Sequence, residues 1–223
     1  MGGDDRPDWR ALGELAGLDL RALRATCLHK RYNRGEIVFH EGDPGRALHL
    51  IDRGRVAVRL TTPLGDVATL DVLHAGDTFG EQALVDGVGE RTATVTAIEQ
   101  AETLALDRAG FDRLRAEHPG VDHFLMKVLS VRLRSTSRQL LDALYLPADT
   151  RVVRCVARMH ANFSTDTGDT VPLTQADIAS MAGVTRSTAN RVLKAAQTKG
   201  VLRAGRATLE ILDADRLHRL AGL

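Results

Sequence analysis

Two cysteines, Cys27 and Cys155, are all that the 223 residues contain, and they stand far apart in the chain. A disulfide framework or a CxxC metal motif needs more of them at closer spacing, so both thiols are expected to be buried bystanders. Long apolar runs are missing as well: no stretch approaches the roughly 18 uninterrupted apolar residues of a membrane span. The amino terminus MGGDDRPDW lacks the basic start and apolar run of a secretory signal. A cytoplasmic protein without a membrane partner is expected. Catalytic motifs are equally scarce. There is no GxSxG, no P-loop and no nucleophile beside a base, and the eight histidines show no HxxxH or HxxEH spacing. No enzyme, and no catalytic or metal-ligating residue, is therefore expected.

A surplus of one charge sign is also lacking, with a formal net charge of +1. The charges are unevenly spread, however. Residues 147–223 hold 11 Lys and Arg against 7 Asp and Glu, while residues 1–146 hold 19 against 22. Any contact with a polyanion such as DNA is expected in the carboxy-terminal part. Hydrophobic residues at 43% and charged residues at 26% exclude a disordered or fibrous chain, and the length suits two modest domains.

Residues 8–30 carry helical spacing at Trp9, Leu12, Leu15, Leu20, Leu23 and Cys27. From Gly35 the period changes to two. EIVFH (36–40), ALHLID (47–52), RVAVRL (55–60), VATLDVL (67–73) and RTATVTAI (91–98) read as short strands separated by glycine-bearing turns, the pattern of a compact antiparallel barrel or roll. A long helix follows, from about Val121 to Leu146, where Pro147 stops or bends it. Along it Leu129, Leu133, Thr136, Leu140 and Ala143 advance by steps of 4, 3, 4 and 3, the seam of a two-stranded coiled coil. This predicts a homodimer; the rival is a stripe that packs only against its own roll.

Residues 149–162 suggest a further amphipathic helix, and LTQADIASMAGVTRSTANRVLKAAQTKG after it has the grammar of a helix-turn-helix. Thr174 can cap the first helix with Asp177 as its capping-box partner, Gly183 allows the turn, and Thr185 can cap the second helix. Ala189, Val192 and Leu193 share one face of that helix, leaving Arg186, Ser187, Asn190, Arg191 and Lys194 on the other. VLRAGRATLEILD closes the chain as a small two-stranded wing carrying Arg203 and Arg206.

Chemistry concentrates in GDTFGEQALVDGVGERTATVTA, residues 76–97. Gly80 lets a backbone N–H approach an anion, and Glu81 offers a carboxylate to a sugar hydroxyl. Arg91 shares strand parity with Ala93, Val95 and Ala97, so its side chain is expected inside the roll, where an unpaired guanidinium is costly and an anion should meet it. Thr92 adds a hydroxyl. Blander readings remain: Arg91 could pair with Glu81, Asp86 or Glu90, and Gly80 could be only a turn.

As a set, Phe79, Gly80, Glu81, Ala83, Leu84, Arg91, Thr92 and Ala93 resemble the phosphate-binding cassette of cyclic-nucleotide-binding domains. The likeness extends over nearly the whole chain and is to the CRP/FNR family of bacterial regulators, most closely to its cyclic-AMP-responsive members. It implies that Arg91 and Thr92 hold the cyclic phosphate, Glu81 the ribose 2′-hydroxyl, and the backbone around Gly80 and Ala83 the rest of the cradle. Gln82, within the cradle, stands where the family has an apolar residue. Thr136 and Ser137 match a Thr-Ser pair that reaches the purine, one from each subunit. Cyclic AMP is the implied allosteric ligand, with cyclic GMP possible. A vestigial cassette on a constitutive DNA-binding protein, or one sensing another effector, is the alternative. Two isolated cysteines cannot hold the iron-sulfur cluster of some relatives, and His74 in LHAGD reads as a turn residue rather than a haem ligand.

The resemblance further implies that the second helix of the pair enters the major groove of a palindromic operator. Arg186 and Arg191 match base-contacting arginines, each suited to guanine O6 and N7. Ser187 replaces a glutamate, which predicts a shifted operator sequence. Thr174, Thr188, Lys194 and Arg206 are expected at phosphates. RNA polymerase is a further partner if the protein activates. The implied class is α+β: N-terminal helices and a cyclic-nucleotide-binding antiparallel β-roll (a double-stranded β-helix) over residues 1–120, a dimerisation helix over 121–146, and a winged helix-turn-helix over 147–223.

Overall fold

The structure, a computed structural model, describes residues 7–15, 17–63, 65–85, 89–205 and 207–222. The chain divides into two compact units, Met1–Thr61 with Leu70–Arg134 and Thr62–Thr69 with Ser135–Leu223.

The first unit opens with a 3-10 turn (Trp9–Ala11) and the short helices α1 (Leu12–Leu15) and α2 (Leu20–Thr26). Helix was expected up to residue 30, but the backbone turns extended at Cys27 and enters β1 (Leu28–Tyr32). That strand is almost wholly exposed, so it carries no alternation to betray it, and its pairing with a later strand defines it. The roll continues through β2 (Ile37–Phe39), β3 (Ala47–Arg53), β4 (Val56–Thr61), β5 (Val67–Leu73), β6 (Thr78–Phe79), β7 (Thr94–Ala97) and β8 (Ala101–Asp107). Two antiparallel sheets result among the described residues, ordered β1-β8-β3-β6 and β2-β7-β4-β5.

Strand alternation sorts the core. Leu48 and Leu50 of β3 join Trp9, Leu23, Phe111 and Phe124 beneath the helices, while Ile51 joins Phe79, Val95 and Ala101 inside the roll. Trp9 adds a polar anchor, its indole N–H donating to the Ile51 carbonyl at 2.8 Å. Burial of Phe124 alone stabilises this unit by about 2–3 kcal/mol.

After α3 (Gln82–Val85) and α4 (Arg108–Glu117) comes the long helix α5 (Gly120–Tyr145). Its first half buries Val121, Phe124, Leu125 and Val128, spaced to share one face. Its second half does the opposite. Leu133, Leu140, Leu141, Leu144 and Tyr145 are exposed, as are Thr136 and Ala143, so most of the heptad seam is not consumed by the protomer's own packing.

In the second unit Pro147 caps α6 (Ala148–Thr167), which runs beyond the expected end at residue 162. β9 (Thr170–Val171), α7 (Gln175–Ala182), α8 (Arg186–Thr198), β10 (Leu202–Ala204), β11 (Leu209–Ile211) and α9 (Ala214–Ala221) complete it. The small sheet has the order β10-β11-β9. Thr174 and Asp177 form the reciprocal capping box, Gly183 takes the left-handed conformation at φ 60°, and Thr185 caps α8 by accepting from the Thr188 backbone N–H. Val152, Val156, Met159, Ile178, Val192 and Leu193 are buried in this unit.

Candidate effector cradle and nucleic-acid interface

Gly80 follows β6 with φ 83°, and a Cβ there would lie only 2.3 Å from Arg91 Nη1. Glycine is required on both counts: the backbone is left-handed and the guanidinium passes across it. Arg91 does point inward, with its residue only 5% exposed. Among the described residues neither Glu81 nor Glu90 is its hydrogen-bond partner. Nη1 donates to the Gly80 carbonyl at 3.0 Å and Nη2 to the Ala47 carbonyl at 2.9 Å, with the guanidinium 4.0 Å from the Phe39 ring centroid. Asp86 lies outside the described residues. Carbonyls satisfy N–H groups but do not cancel charge. Burial pulls the Arg91 pKa below its usual value, opposed by the fields of Glu81, Asp43 and Tyr32.

Glu81 is 1% exposed and so is a buried carboxylate in need of donors. Oε1 accepts from Nη1 of Arg132, whose Nη2 donates to the Thr78 carbonyl. Oε2 of Glu81 and Nε of Arg91 have no hydrogen-bond partner among the described residues. One buried acceptor and one buried donor are thus unfilled in the cradle, which fits a ligand carrying both a hydroxyl and an anionic group. Ala83 is buried, whereas Gln82 and Thr92 are exposed, and the Thr92 hydroxyl donates to Gln82 Oε1 at 2.7 Å.

Two residues of the cradle were not anticipated. Arg132 lies on the roll-facing stripe of α5, since Val121, Leu125, Val128 and Arg132 advance by 4, 3 and 4. A charge continuing a buried stripe was the signal. His49, at an inward position of β3, stacks on Phe79 at 4.8 Å and shares a hydrogen bond with Thr103 Oγ1 at 3.1 Å. Burial first, then Arg91 and Lys30, push its pKa down to about 3, so it is neutral. Thr136 and Ser137 are exposed on the part of α5 that belongs to the second unit. His74 sits in a turn, its backbone N–H donating to Asp77 Oδ2 at 2.9 Å. Burial raises both cysteines to about 11, which makes them poor nucleophiles.

On α8, Arg186, Ser187, Asn190, Arg191 and Lys194 are exposed while Ala189, Val192, Leu193 and Ala196 are buried. The helix therefore presents a polar face from a packed base. Thr188 is half-buried, with its hydroxyl 2.9 Å from that of Thr185. Thr174 is half-buried too, and its hydroxyl donates to Asp177 Oδ2 at 2.7 Å within the capping box. Arg191 is not free: it forms a two-point ion pair with Asp149 of α6. Across the wing Arg203 pairs with Glu210 at 2.7 Å, and Arg206 lies outside the described residues.

A β-roll with a buried arginine and carboxylate, carried on the same chain as a winged helix-turn-helix, defines the class of DNA-binding regulators with a ligand-binding roll. Residues 29–118 match the cyclic nucleotide-binding domain, and residues 150–220 match the Crp-like helix-turn-helix domain. The chain is 34% identical to the cyclic AMP receptor protein of Thermus thermophilus, covering 85% of this chain and 86% of that protein. It is 32% identical to the CRP-like cAMP-activated global transcriptional regulator of Mycobacterium tuberculosis over the same shares. Among solved structures, the Xanthomonas campestris global regulator CLP, described as c-di-GMP responsive, matches with a TM-score of 0.73 at 23% identity, covering 86% of this chain and 97% of that one. The chain belongs to the CRP/FNR family: it is a cyclic-nucleotide-binding, DNA-binding transcription regulator and not an enzyme. No helix among the described residues is long and apolar enough to cross a membrane.

Proposed function

We propose that cyclic AMP is the effector and that two copies of the chain, joined along α5, read a palindromic duplex in the cytoplasm. The observation that carries this reading is the pair of unfilled buried groups, Glu81 Oε2 and Arg91 Nε, flanking Gly80. A bound cyclic nucleotide supplies one negative charge and a ribose hydroxyl. Arg91 would take the charge with Thr92, and Glu81 would accept from the hydroxyl beside the N–H groups around Gly80, Gln82 and Ala83. Two relatives above 30% identity carry cyclic AMP in their names, which supports the same base. Cyclic GMP shares the phosphate and ribose, so choice of base falls to Thr136 and Ser137.

The exposed leucines of α5 support the homodimer, because a stripe this apolar needs cover. Pairing along it sets two copies of α8 at the spacing of successive half-sites, about 34 Å. Arg186, Ser187, Asn190 and Arg191 then face bases, with Thr174, Thr188, Lys194 and Arg206 at phosphates. RNA polymerase is a further partner where the protein activates. Coupling is a shift in population toward the DNA-competent arrangement, limited by the differential affinity of the nucleotide for it.

One observation favours a second reading. The Thr92 hydroxyl is already committed to Gln82, a residue the family pattern does not expect, and this suits another effector or none. Calorimetric titration with cyclic AMP, cyclic GMP and cyclic di-GMP separates the readings. Saturable cyclic AMP binding at one site per subunit supports the first. Binding of cyclic di-GMP alone, or of none of the three, overturns it.

A further inference from the structure

Arg191 holds Asp149 end-on: Nη1 donates to Oδ2 at 2.9 Å and Nη2 to Oδ1 at 2.5 Å. The same pair of terminal nitrogens is what an arginine presents to guanine O6 and N7. A carboxylate and the guanine edge are both two-acceptor forks, so one guanidinium edge serves one of them at a time. Both side chains are more than half exposed, at 63% and 53%, and Asp149 is the only hydrogen-bond partner of the Arg191 side chain among the described residues. Asp149 also has an independent reason to stay. It sits in the first turn of α6, whose N-cap is Pro147 without a side-chain cap, and a carboxylate there is favoured by the unpaired N–H groups and the helix dipole. Arg191 lowers its pKa further, keeping it ionised.

We propose that Asp149 is a specificity-determining residue, a built-in competitor that withholds Arg191 from DNA phosphates and yields it only to a base edge of matching geometry. The inference rests on α8 being the DNA-reading helix. Off target, a phosphate offers Arg191 little that Asp149 does not, so the pair stays closed and its charge adds nothing to binding. At a guanine that the docked helix brings up to Arg191, O6 and N7 take the same two nitrogens in matching geometry, while Asp149 stays ionised and hydrated at the exposed start of α6. Asp149 therefore suppresses non-specific affinity more than operator affinity.

The test uses the full chain with cyclic AMP, a random-sequence duplex of about three helical turns, and a duplex selected from a random pool by the wild-type protein. D149N should tighten the random duplex about two- to fivefold per subunit and steepen its log–log salt slope by about 0.9 per freed arginine. The selected duplex should change less, so the specificity ratio falls. In an R191Q background the same substitution should do nothing. Equal effects of D149N with and without Arg191 would mean that Asp149 acts only through long-range repulsion, and no change on either duplex would mean that the pair is inert; each overturns the proposal. A wild-type protein that binds no duplex in either nucleotide state removes the DNA-reading assignment of α8 itself.

Discussion

Replacing Arg91 by methionine removes a guanidinium that is nearly sealed from solvent while keeping most of its length and volume. In the free protein the effects oppose each other. The substitution relieves a buried cation but strands the carbonyls of Gly80 and Ala47, now accepting at 3.0 and 2.9 Å. Each stranded buried acceptor costs about 1–3 kcal/mol, offset by the lost desolvation penalty, so the net loss of stability is expected at about 1–3 kcal/mol. Nucleotide binding has no such offset. A charge-assisted hydrogen bond is worth about 1.5–3 kcal/mol, and two to a cyclic phosphate give about 3 kcal/mol or more. That corresponds to a loss of at least roughly a hundredfold in affinity. The assay is calorimetric titration with cyclic AMP, alongside a urea melt to confirm folding. A folded Arg91→Met protein with wild-type affinity would falsify the phosphate assignment.

Three other outcomes follow from the same geometry. Leu140→Glu, on an exposed seam position, should leave the fold intact and weaken the dimer at least about tenfold by setting two carboxylates face to face, as read by sedimentation equilibrium. Arg186→Ala should cost about 1–3 kcal/mol at the selected duplex and relax choice at one base pair, whereas Lys194→Ala should weaken all sequences alike and flatten the salt slope. His49 is neutral in the folded protein down to about pH 3, but its unfolded form takes up a proton below about pH 6.5. Stability is therefore fully present above the unfolded pKa and lost as pH falls toward the folded one, with about 2 kcal/mol gone between pH 7 and pH 5 from this residue; His49→Gln should remove that part of the pH dependence in urea melts.

What the sequence made legible was whatever obeys a short period or a local rule. Thr174, Asp177, Gly183 and Thr185 announce the helix-turn-helix because caps and a left-handed turn restrict residue type strongly. Arg91 declared its inward direction through parity with Ala93 and Val95, although β7 begins only at Thr94. Its partners could not be read this way, since backbone carbonyls carry no sequence signature. Arg132 passed as a surface charge because its meaning depends on which stripe of α5 meets the roll. β6 spans two residues, too few to show any period, and the exposed edge strand β1 imitates the end of a helix. The Asp149–Arg191 pair joins residues 42 positions apart and lay beyond any local reading.

Whether nucleotide and DNA are coupled is the central matter, and one measurement addresses it. The anisotropy of the selected duplex, labelled with a fluorophore, is followed against protein concentration with and without saturating cyclic AMP. A tighter dissociation constant with nucleotide, matched by an equal tightening of cyclic AMP binding in the presence of the duplex, is the predicted result. Nucleotide that binds while leaving the affinity for DNA unchanged would contradict the account.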